Sequence, residues 1–391
     1  MKRLAFNAAA LCMLLCLSTE AADGPQGPFR LESDEFPIGM YSVDSAGAMT
    51  QAESLGIDYV QSYQTGKDAT EESIRSDLKY LDLAHKHGRR VLFQFRGKNF
   101  VDRKDGVEAM LRVMNAVKDH PALGFWVFYD EPDGKHSPEQ LKPFYRAAKK
   151  AFPKIPFAIC HCWSAHYADY KHVADINLND LYPVQHKPFP QCKLDNMRKF
   201  TDRMLAMGCP VMPINQAFNW QSIARRTKRK QYRGSPVDEM RYPNPKELRY
   251  LCYGPLAQGA RGMFWWSYYW SVRTGYTWLS KEFAPVNLEF RRFTRLVAPA
   301  HKGETFKSAR DSDMLMAMWR RPGGDCLVAV NDRPITRDLT CGTEGKIPDA
   351  KLIPWGSTRA AEAAIRKGTL TVKSAEPWEV FVWRLEGRSK R

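Results

Sequence analysis

Two adjacent carboxylates, Asp130 and Glu131, stand directly after a continuous apolar and aromatic run over residues 125–129. Such a run is typical of a strand that is buried on both faces in a parallel sheet. Pro132 follows at once and prevents the strand from continuing its hydrogen-bond ladder. A carboxylate at the end of a buried strand suits general acid/base catalysis, so we predict Glu131 as the acid/base, assisted by Asp130. The alternative is that the pair only solvates the strand end and begins a turn.

Polar and aromatic residues also follow the other apolar runs of the chain, and we predict that they line a substrate site. They are Asp44, Arg96, His161, Trp163, Asp180, Tyr182, Gln216, Trp266 and Tyr268. Carboxylates among aromatic rings are typical of sites that hydrolyse sugars, because rings stack on the apolar face of a pyranose while carboxyl groups exchange protons. Each ring could equally belong to the core. In the aromatic cluster at 265–270, strand alternation lets only one of two neighbouring residues face the site.

The elements that must position these residues alternate between strand-like and helix-like segments. The strand-like segments cover residues 37–43, 57–63, 89–97, 122–131, 156–162, 174–184, 209–218 and 260–270. Amphipathic helices are predicted between them, one of which begins at a capping pattern formed by Ser137, Pro138 and Gln140. Eight such units over about 260 residues predict an α/β fold, a (β/α)8 TIM barrel, whose strand ends meet on one face. No glycine-rich phosphate loop follows the first strand, which argues against a doubly wound sheet.

From residue 303 onward the pattern changes to short strand-like runs separated by turn residues. The runs cover 314–320, 326–331, 352–355, 369–372 and 380–384, with one weak helical pattern over 360–366. We therefore predict a catalytic barrel at 22–302, followed by a small C-terminal antiparallel β-sandwich-like domain at 303–391. Cys326 and Cys341 flank a turn at nearly equal distances, so they could form a disulfide across a hairpin.

The N-terminus predicts export from the cytoplasm. Basic residues at positions 2 and 3, an apolar stretch over 4–17 and small residues near 19–22 form the pattern of a cleaved signal peptide at 1–21. The stretch is too short to span a bilayer comfortably, and no later segment is apolar enough to do so. We expect a secreted or periplasmic protein without a membrane span.

The formal net charge of +16 favours anionic partners. Outside the cytoplasm this indicates an oligo- or polysaccharide that carries acidic groups. The basic run Arg225, Arg226, Lys228, Arg229 and Lys230 follows the seventh predicted strand. It is either a solvated loop or a contact for sulfate or uronic-acid groups. No zinc-finger, helix-turn-helix or RNA-binding pattern is present, so no nucleic-acid partner is expected. No C-x-x-C spacing occurs, and neither a metal nor a cofactor is expected.

Four short motifs resemble retaining (β/α)8 glycoside hydrolases of the broad clan A type. They are FYDEP at 128–132, DLYP at 180–183, QAF at 216–218 and GARGMFWWS at 259–267. The resemblance implies that Glu131 is the acid/base and that Trp266 lines the sugar site. The chain departs from the clan at two places. Asp130 stands where the clan has an asparagine, and residues 212–218 contain no carboxylate where the clan has its nucleophile.

The missing nucleophile leaves several mechanisms open. The Asp-Glu pair is similar to that of hexosaminidase-type barrels, in which the N-acetyl oxygen of the substrate attacks while the Asp orients the acetamido group. An inverting reaction, with Asp180 or Asp44 activating water, is a second route. The rival class is a non-catalytic carbohydrate-binding protein on a glycosidase scaffold. A polysaccharide lyase, with Tyr182 or His161 as the base, is a further alternative.

Overall fold

The structure is a computed structural model that describes residues 27–162, 167–184, 193–227, 240–274, 276–297, 314–343, 347 and 349–386, with only the backbone at 225–227, 274 and 276. A closed barrel of eight parallel strands, paired in sequence order, forms its first part. The strands are β1 (Ile38–Met40), β2 (Tyr59–Gln61), β3 (Arg90–Gln94), β4 (Leu123–Asp130), β5 (Phe157–Cys162), β6 (Ile176–Asp180), β7 (Val211–Gln216) and β8 (Met263–Trp266). Each strand lies within a predicted segment, so the predicted TIM barrel is confirmed. The predicted signal peptide lies outside the described residues.

Helices cover the outside of the barrel between successive strands. They are α1 (Ala46–Ser54), α2 (Glu71–Lys86), α3 (Gly97–Val101), α4 (Gly106–Val117), α5 (Pro138–Ala151), α6 (Leu194–Leu205), α7 (Trp220–Thr227), α8 (Pro245–Gln258), α9 (Tyr268–Thr274), α10 (Tyr276–Trp278) and α11 (Ala284–Val297). The predicted start of α5 is confirmed, because Ser137 and Gln140 form a capping box there. None of the helices among the described residues is long and apolar enough to cross a membrane.

The interior of the barrel is a packed core. Side chains such as Phe125, Cys160 and Leu178 point inward and belong to one buried cluster. Their outward neighbours, including Trp126 and Trp265, pack in the layer between the strands and the helices. Because the interior is filled, we expect a substrate site at the carboxyl ends of the strands, as in other barrels of this kind.

β4 breaks the inward–outward alternation near its carboxyl end. Its register with β5 shifts between Val127 and Tyr129, which marks a β-bulge. Phe128 and Tyr129 consequently both pack in the outer layer, whereas Asp130 comes level with the inward-facing Cys160. With regular alternation from Val127, Asp130 would point outward. The bulge therefore brings its carboxylate to the mouth of the barrel.

The C-terminal part consists of two antiparallel sheets that enclose a second core. Its strands are β9 (Met314–Trp319), β10 (Cys326–Asn331), β11 (Arg337–Gly342), β12 (Lys351–Pro354), β13 (Ala363–Arg366), β14 (Thr369–Ala375) and β15 (Val380–Glu386). They pair in the orders β12-β15-β10-β9 and β11-β14-β13. The predicted β module is thus confirmed. The weak helical pattern over 360–366 was a wrong indication, since this segment contains β13 as an edge strand.

Cys326 and Cys341 do not form the predicted disulfide. Cys326 lies in β10 and Cys341 in β11, and these strands belong to different sheets. Neither cysteine forms a disulfide among the described residues. The turn between the two cysteines leads the chain from one sheet to the other, so the residues on either side of it do not face each other as in a hairpin.

Helix α8 connects the barrel to the β module. It is buried along its length from Glu247 onward, because it packs against both parts. Its Arg249 forms an ion pair with Glu289 of α11 and donates hydrogen bonds to Ser357 Oγ at 2.6 Å and Thr358 Oγ1 at 3.1 Å. These contacts fix the module against the outer helical layer of the barrel.

Candidate active site

Carboxyl groups from two strand ends meet at the mouth of the barrel. Asp180 ends β6, and Cys162 at the end of β5 lies beside it in the parallel register. Glu131 follows the last residue of β4. One carboxylate oxygen of Glu131, one of Asp180 and the Cys162 sulfur lie within 4.8 Å of one another. Asp130 completes the acidic cluster on the β4 side.

The backbone conformation of Glu131 directs its side chain back toward this cluster. Its φ of 57° lies in the left-handed region, which residues other than glycine rarely adopt and which recurs at functional sites. Pro132 follows, and the Asp133 carboxylate accepts a hydrogen bond from the Cys162 backbone N–H at 3.3 Å. The loop is thereby tied to the end of β5. The Glu131 side chain is 42% exposed, and the Lys135 ammonium lies 3.9 Å from its Oε2.

Asp180 occupies a much more enclosed position, with 8% of its surface exposed. Burial raises the pKa of Asp180 well above its usual range, and the charges of Glu131 and Asp130 raise it further. The Tyr182 hydroxyl donates a hydrogen bond to Oδ2 at 3.3 Å, which opposes the shift. Oδ1 is buried and has no hydrogen-bond partner among the described residues. Asp180 is therefore poised to hold a proton.

Asp130 is half-buried at the end of β4 and is held by donors from the barrel wall. Burial and the charge of Glu131 raise the pKa of Asp130 to about 6, although the Cys160 thiol and the Tyr63 hydroxyl donate hydrogen bonds to it. The Tyr63 hydroxyl in turn accepts a hydrogen bond from Trp266 Nε1 at 3.0 Å. A continuous polar chain thus leads from the aromatic end of β8 to the carboxylate at the end of β4.

An aromatic wall faces the acidic cluster from the ends of β6, β7 and β8. Trp266 stacks on Tyr182 with ring centroids 5.4 Å apart and planes inclined by 26°. Phe218 meets the Trp266 ring edge-on at 4.9 Å, and Trp220 and Trp270 extend the cluster. As the alternation rule predicts, Trp266 faces the mouth while its neighbour packs outward. The wall offers apolar ring faces and edges next to carboxyl groups.

The structure does not bring two of the predicted site residues to this cluster. His161 is fully buried on the outer side of β5, where its ring packs against Tyr167 and Tyr170. This position leaves it unable to serve as the base of a lyase. Tyr268 begins α9 and directs its hydroxyl to the Gln51 side chain of α1.

The other predicted site residues lie in different surroundings. Gln216 is buried, and its side-chain amide bonds to the backbone of Val184 and Phe218, so it closes the loop after β6. Arg96 is exposed at the rim and donates a hydrogen bond to the Tyr63 carbonyl at 3.4 Å. Asp44 is exposed on the loop after β1. Trp163 lies outside the described residues.

Sequence reasoning missed Tyr63, Phe218, Trp220 and Cys162 as members of the site. A signal for Tyr63 was available, because it lies two positions beyond Gln61 and four beyond the inward-facing Tyr59. Cys162 shares its face of β5 with Cys160, two residues earlier, and the same spacing argument applies.

Neither a family model nor a curated protein matches this chain. Similar solved structures include a noncanonic maltogenic alpha-amylase from Thermotoga neapolitana, with 10% identity and a TM-score of 0.55 over 90% of this chain and 99% of that one. An Anoxybacillus alpha-amylase shares 10% identity, with a TM-score of 0.52 over 92% and 99% of the two chains. A Geobacillus thermoleovorans alpha-amylase, solved with acarbose, shares 9% identity, with a TM-score of 0.52 over 91% and 99%. The chain therefore has the fold of barrel glycoside hydrolases.

Proposed function

We propose that this protein is a glycoside hydrolase that cleaves an oligo- or polysaccharide at the mouth of its barrel, with Glu131 and Asp180 as the catalytic pair. The observation that carries the proposal is the approach of the two carboxyl groups, whose nearest oxygens lie within 4.8 Å at the ends of β4 and β6. Retaining glycosidases hold their carboxyl groups about 5–5.5 Å apart, whereas inverting ones need about 6.5–9.5 Å to admit a water molecule. The geometry favours retention through a glycosyl-enzyme intermediate.

The two environments assign different roles to the pair. Asp180 is buried and its pKa is raised, so it carries the proton in the free protein and protonates the leaving oxygen. Glu131 is half-exposed at the mouth, with the Lys135 ammonium 3.9 Å from its Oε2, and it attacks the anomeric carbon. In the second step a water molecule attacks the anomeric carbon while Asp180 accepts its proton, and the bond between the sugar and Glu131 breaks. In this assignment Asp180 is the acid/base and Glu131 is the nucleophile, whereas the sequence suggested Glu131 as the acid/base.

Asp130 supports the pair by setting the local charge. Its carboxylate receives hydrogen bonds from Cys160 and Tyr63 within the barrel wall, and its charge raises the pKa of Asp180. These bonds direct it to the wall, which makes the orientation of a substrate acetamido group the less favoured role. Asp130 thus acts as a positioning residue that keeps the proton on Asp180.

The aromatic wall supplies the substrate contact. Trp266 and Tyr182 present ring faces and edges beside the carboxyl groups, and such rings stack on the apolar face of a pyranose. The alpha-amylase of similar fold that was solved with acarbose supports a carbohydrate substrate here. The charge of +16 supports an acidic one. The N-terminal pattern at 1–21 supports action outside the cytoplasm.

The test is a screen of the mature protein on aryl glycosides and natural polysaccharides, followed by trapping of the intermediate. A fluorinated glycoside of the sugar found in the screen should label the protein, and peptide mass spectrometry should find the label on Glu131. Label on Asp180 would restore the acid/base role to Glu131. Inversion of the anomeric centre in the released sugar would exclude a covalent route altogether.

A non-catalytic carbohydrate-binding protein is the second candidate, favoured by the end of β7. No carboxylate stands there, and the Gln216 amide is committed to backbone hydrogen bonds. Binding of a glycan, measured by calorimetry, without hydrolysis of it or of the wider panel, would support this candidate over the hydrolase.

A further inference from the structure

The acidic cluster contains a thiol that the proposed hydrolysis does not use. Cys162 lies next to Asp180 in the register of β5 and β6, and its sulfur is within 4.8 Å of carboxylate oxygens of both Asp180 and Glu131. The residue is half-buried. A thiol between two carboxyl groups gives three potential metal ligands that converge on one point.

A second observation concerns the buried carboxylate of Asp180. Asp180 is more than nine-tenths buried, and its Oδ1 has no hydrogen-bond donor among the described residues. When Asp180 and Glu131 are both ionised, their oxygens repel each other, and the Lys135 ammonium, 3.9 Å from Glu131 Oε2, is half-exposed and screened by solvent. Buried charges require a partner. Either a proton on the pair or a bound cation can supply it.

We infer that Glu131, Cys162 and Asp180 form a binding site for a zinc ion, which blocks the proposed catalytic pair when it is occupied. The inference rests on the proposed function only for its inhibitory consequence, since the ligands are given by the structure itself.

The ligand types and number favour zinc among divalent cations. Zinc binds cysteine sulfur and carboxylate oxygen, and sites with three protein ligands leave a fourth position for water. Magnesium and calcium take oxygen ligands and have no preference for a thiolate. Coordination replaces the thiol proton, which passes to solvent.

The distances require only a small adjustment. Ligand atoms of a tetrahedral zinc lie about 3.5 Å apart, given bond lengths of about 2.0–2.3 Å. The three atoms here lie within 4.8 Å of one another, so they must approach by about 1 Å. Glu131 can supply most of this movement because its side chain is 42% exposed and follows the strand end. Asp180 and Cys162 are fixed side by side on neighbouring strands.

The experiment uses the untagged mature protein with zinc, and with cobalt as a spectroscopic substitute. Calorimetry should show one zinc bound, and the cobalt form should show the near-ultraviolet charge-transfer band of a cobalt–thiolate bond. Loss of second-shell partners commonly costs 10–100-fold in metal affinity, so Cys162→Ser, which removes a direct ligand, should cost at least about 100-fold and abolish the band. Asp180→Asn should also weaken zinc binding.

Cys209→Ser is the matched control, because it changes another half-buried thiol two residues before β7, where Cys209 Sγ lies near the Lys171 and Ala174 carbonyls. It should retain the cobalt–thiolate band and the zinc affinity. Absence of the band in the wild-type protein, or its persistence in Cys162→Ser, would overturn the inference.

Activity measurements separate this inference from the proposed function. If hydrolysis is found, zinc should inhibit it in competition with substrate, and a chelator should restore it. If no hydrolysis is found but the thiolate band depends on Cys162, the metal site stands and the hydrolase proposal fails. If hydrolysis is found and zinc neither binds nor inhibits, the hydrolase stands and the metal site fails.

Discussion

The ends of β4 to β6 differ from the end of β7 in how their polar side chains are satisfied. At the end of β7, the Gln216 amide bonds to backbone groups of Val184 and Phe218. At the ends of β4 to β6, Asp180 Oδ1 is buried without a donor among the described residues, and Glu131 adopts a left-handed backbone conformation. Satisfied polar groups maintain a fold, whereas unsatisfied and strained ones persist where function requires them. We therefore expect the catalytic groups at the ends of β4 to β6 and a structural role for Gln216 at the end of β7.

The largest expected effect follows from neutralising the carboxylates at the ends of β4 and β6. We expect Asp180→Asn and Glu131→Gln each to lower kcat by at least about 10²–10⁴-fold, because each removes a proton donor or a nucleophile. Each variant should also be at least as stable as the wild type, since it removes repulsion between carboxylates. Steady-state kinetics and thermal unfolding test this.

Exposed residues in α2 and just after α4 provide matched controls for these substitutions. Asp119→Asn and Glu72→Gln make the same chemical changes at exposed positions and should leave both activity and stability unchanged. Full activity in Asp180→Asn would remove Asp180 from the mechanism.

At the end of β7 we expect a substitution to lower the stability of the fold without raising activity. Gln216→Glu would place a carboxylate where clan A barrels carry their nucleophile, but it removes the donors to the Val184 and Phe218 carbonyls. Each buried group left without a partner costs about 1–3 kcal/mol, so we expect a loss of about 2–6 kcal/mol in the free energy of unfolding and no gain in activity. Urea denaturation measures the loss, with the exposed Gln64→Glu as the control. A stable and more active variant would show that the two sides are not functionally distinct.

The pH dependence of stability tests whether Asp130 is protonated in the folded protein at moderately acidic pH. The pKa of Asp130 is raised from its usual value to about 6, so the folded protein binds a proton there more tightly than the unfolded chain does. The free energy of unfolding should therefore be highest, as far as this group is concerned, below about pH 4 and should fall as the pH rises toward 6. The largest possible contribution is about 3 kcal/mol.

Asp130→Asn isolates that contribution. The variant should lose this part of the pH dependence and should gain stability at neutral pH relative to the wild type. Denaturant midpoints measured between pH 4 and 7 give the comparison, and Asp119→Asn controls for the loss of an exposed charge. Parallel curves for Asp130→Asn and wild type would contradict the raised pKa of Asp130.

The same contrast explains what could be predicted from the sequence. The eight strands, the inward position of Trp266 and the candidate residues Asp130, Glu131, Asp180 and Tyr182 follow from apolar runs and alternation, which are local properties of the chain. The closeness of Glu131 to Asp180 depends on the bulge in β4 and on a left-handed residue, which no local pattern indicates. His161 and Tyr268 were assigned by position after a strand, without regard to which face they occupy. β13 was missed because alanines at its start favour no strand.

The smallest expected effect concerns the aromatic wall. Trp266→Phe keeps an aromatic ring at the end of β8 but reduces the area stacked on Tyr182 and removes the Nε1 hydrogen bond to the Tyr63 hydroxyl. Aromatic contacts contribute about 0.5–1.5 kcal/mol beyond the area they bury, so KM should rise about 2–12-fold while kcat changes little. Trp355→Phe on the β module is the control, and it should leave KM unchanged. A fall in kcat at constant KM would mean that the chain from Trp266 through Tyr63 to Asp130 sets the state of the carboxylates. The aromatic and acidic sides of the mouth would then form one catalytic unit instead of two regions with separate tasks.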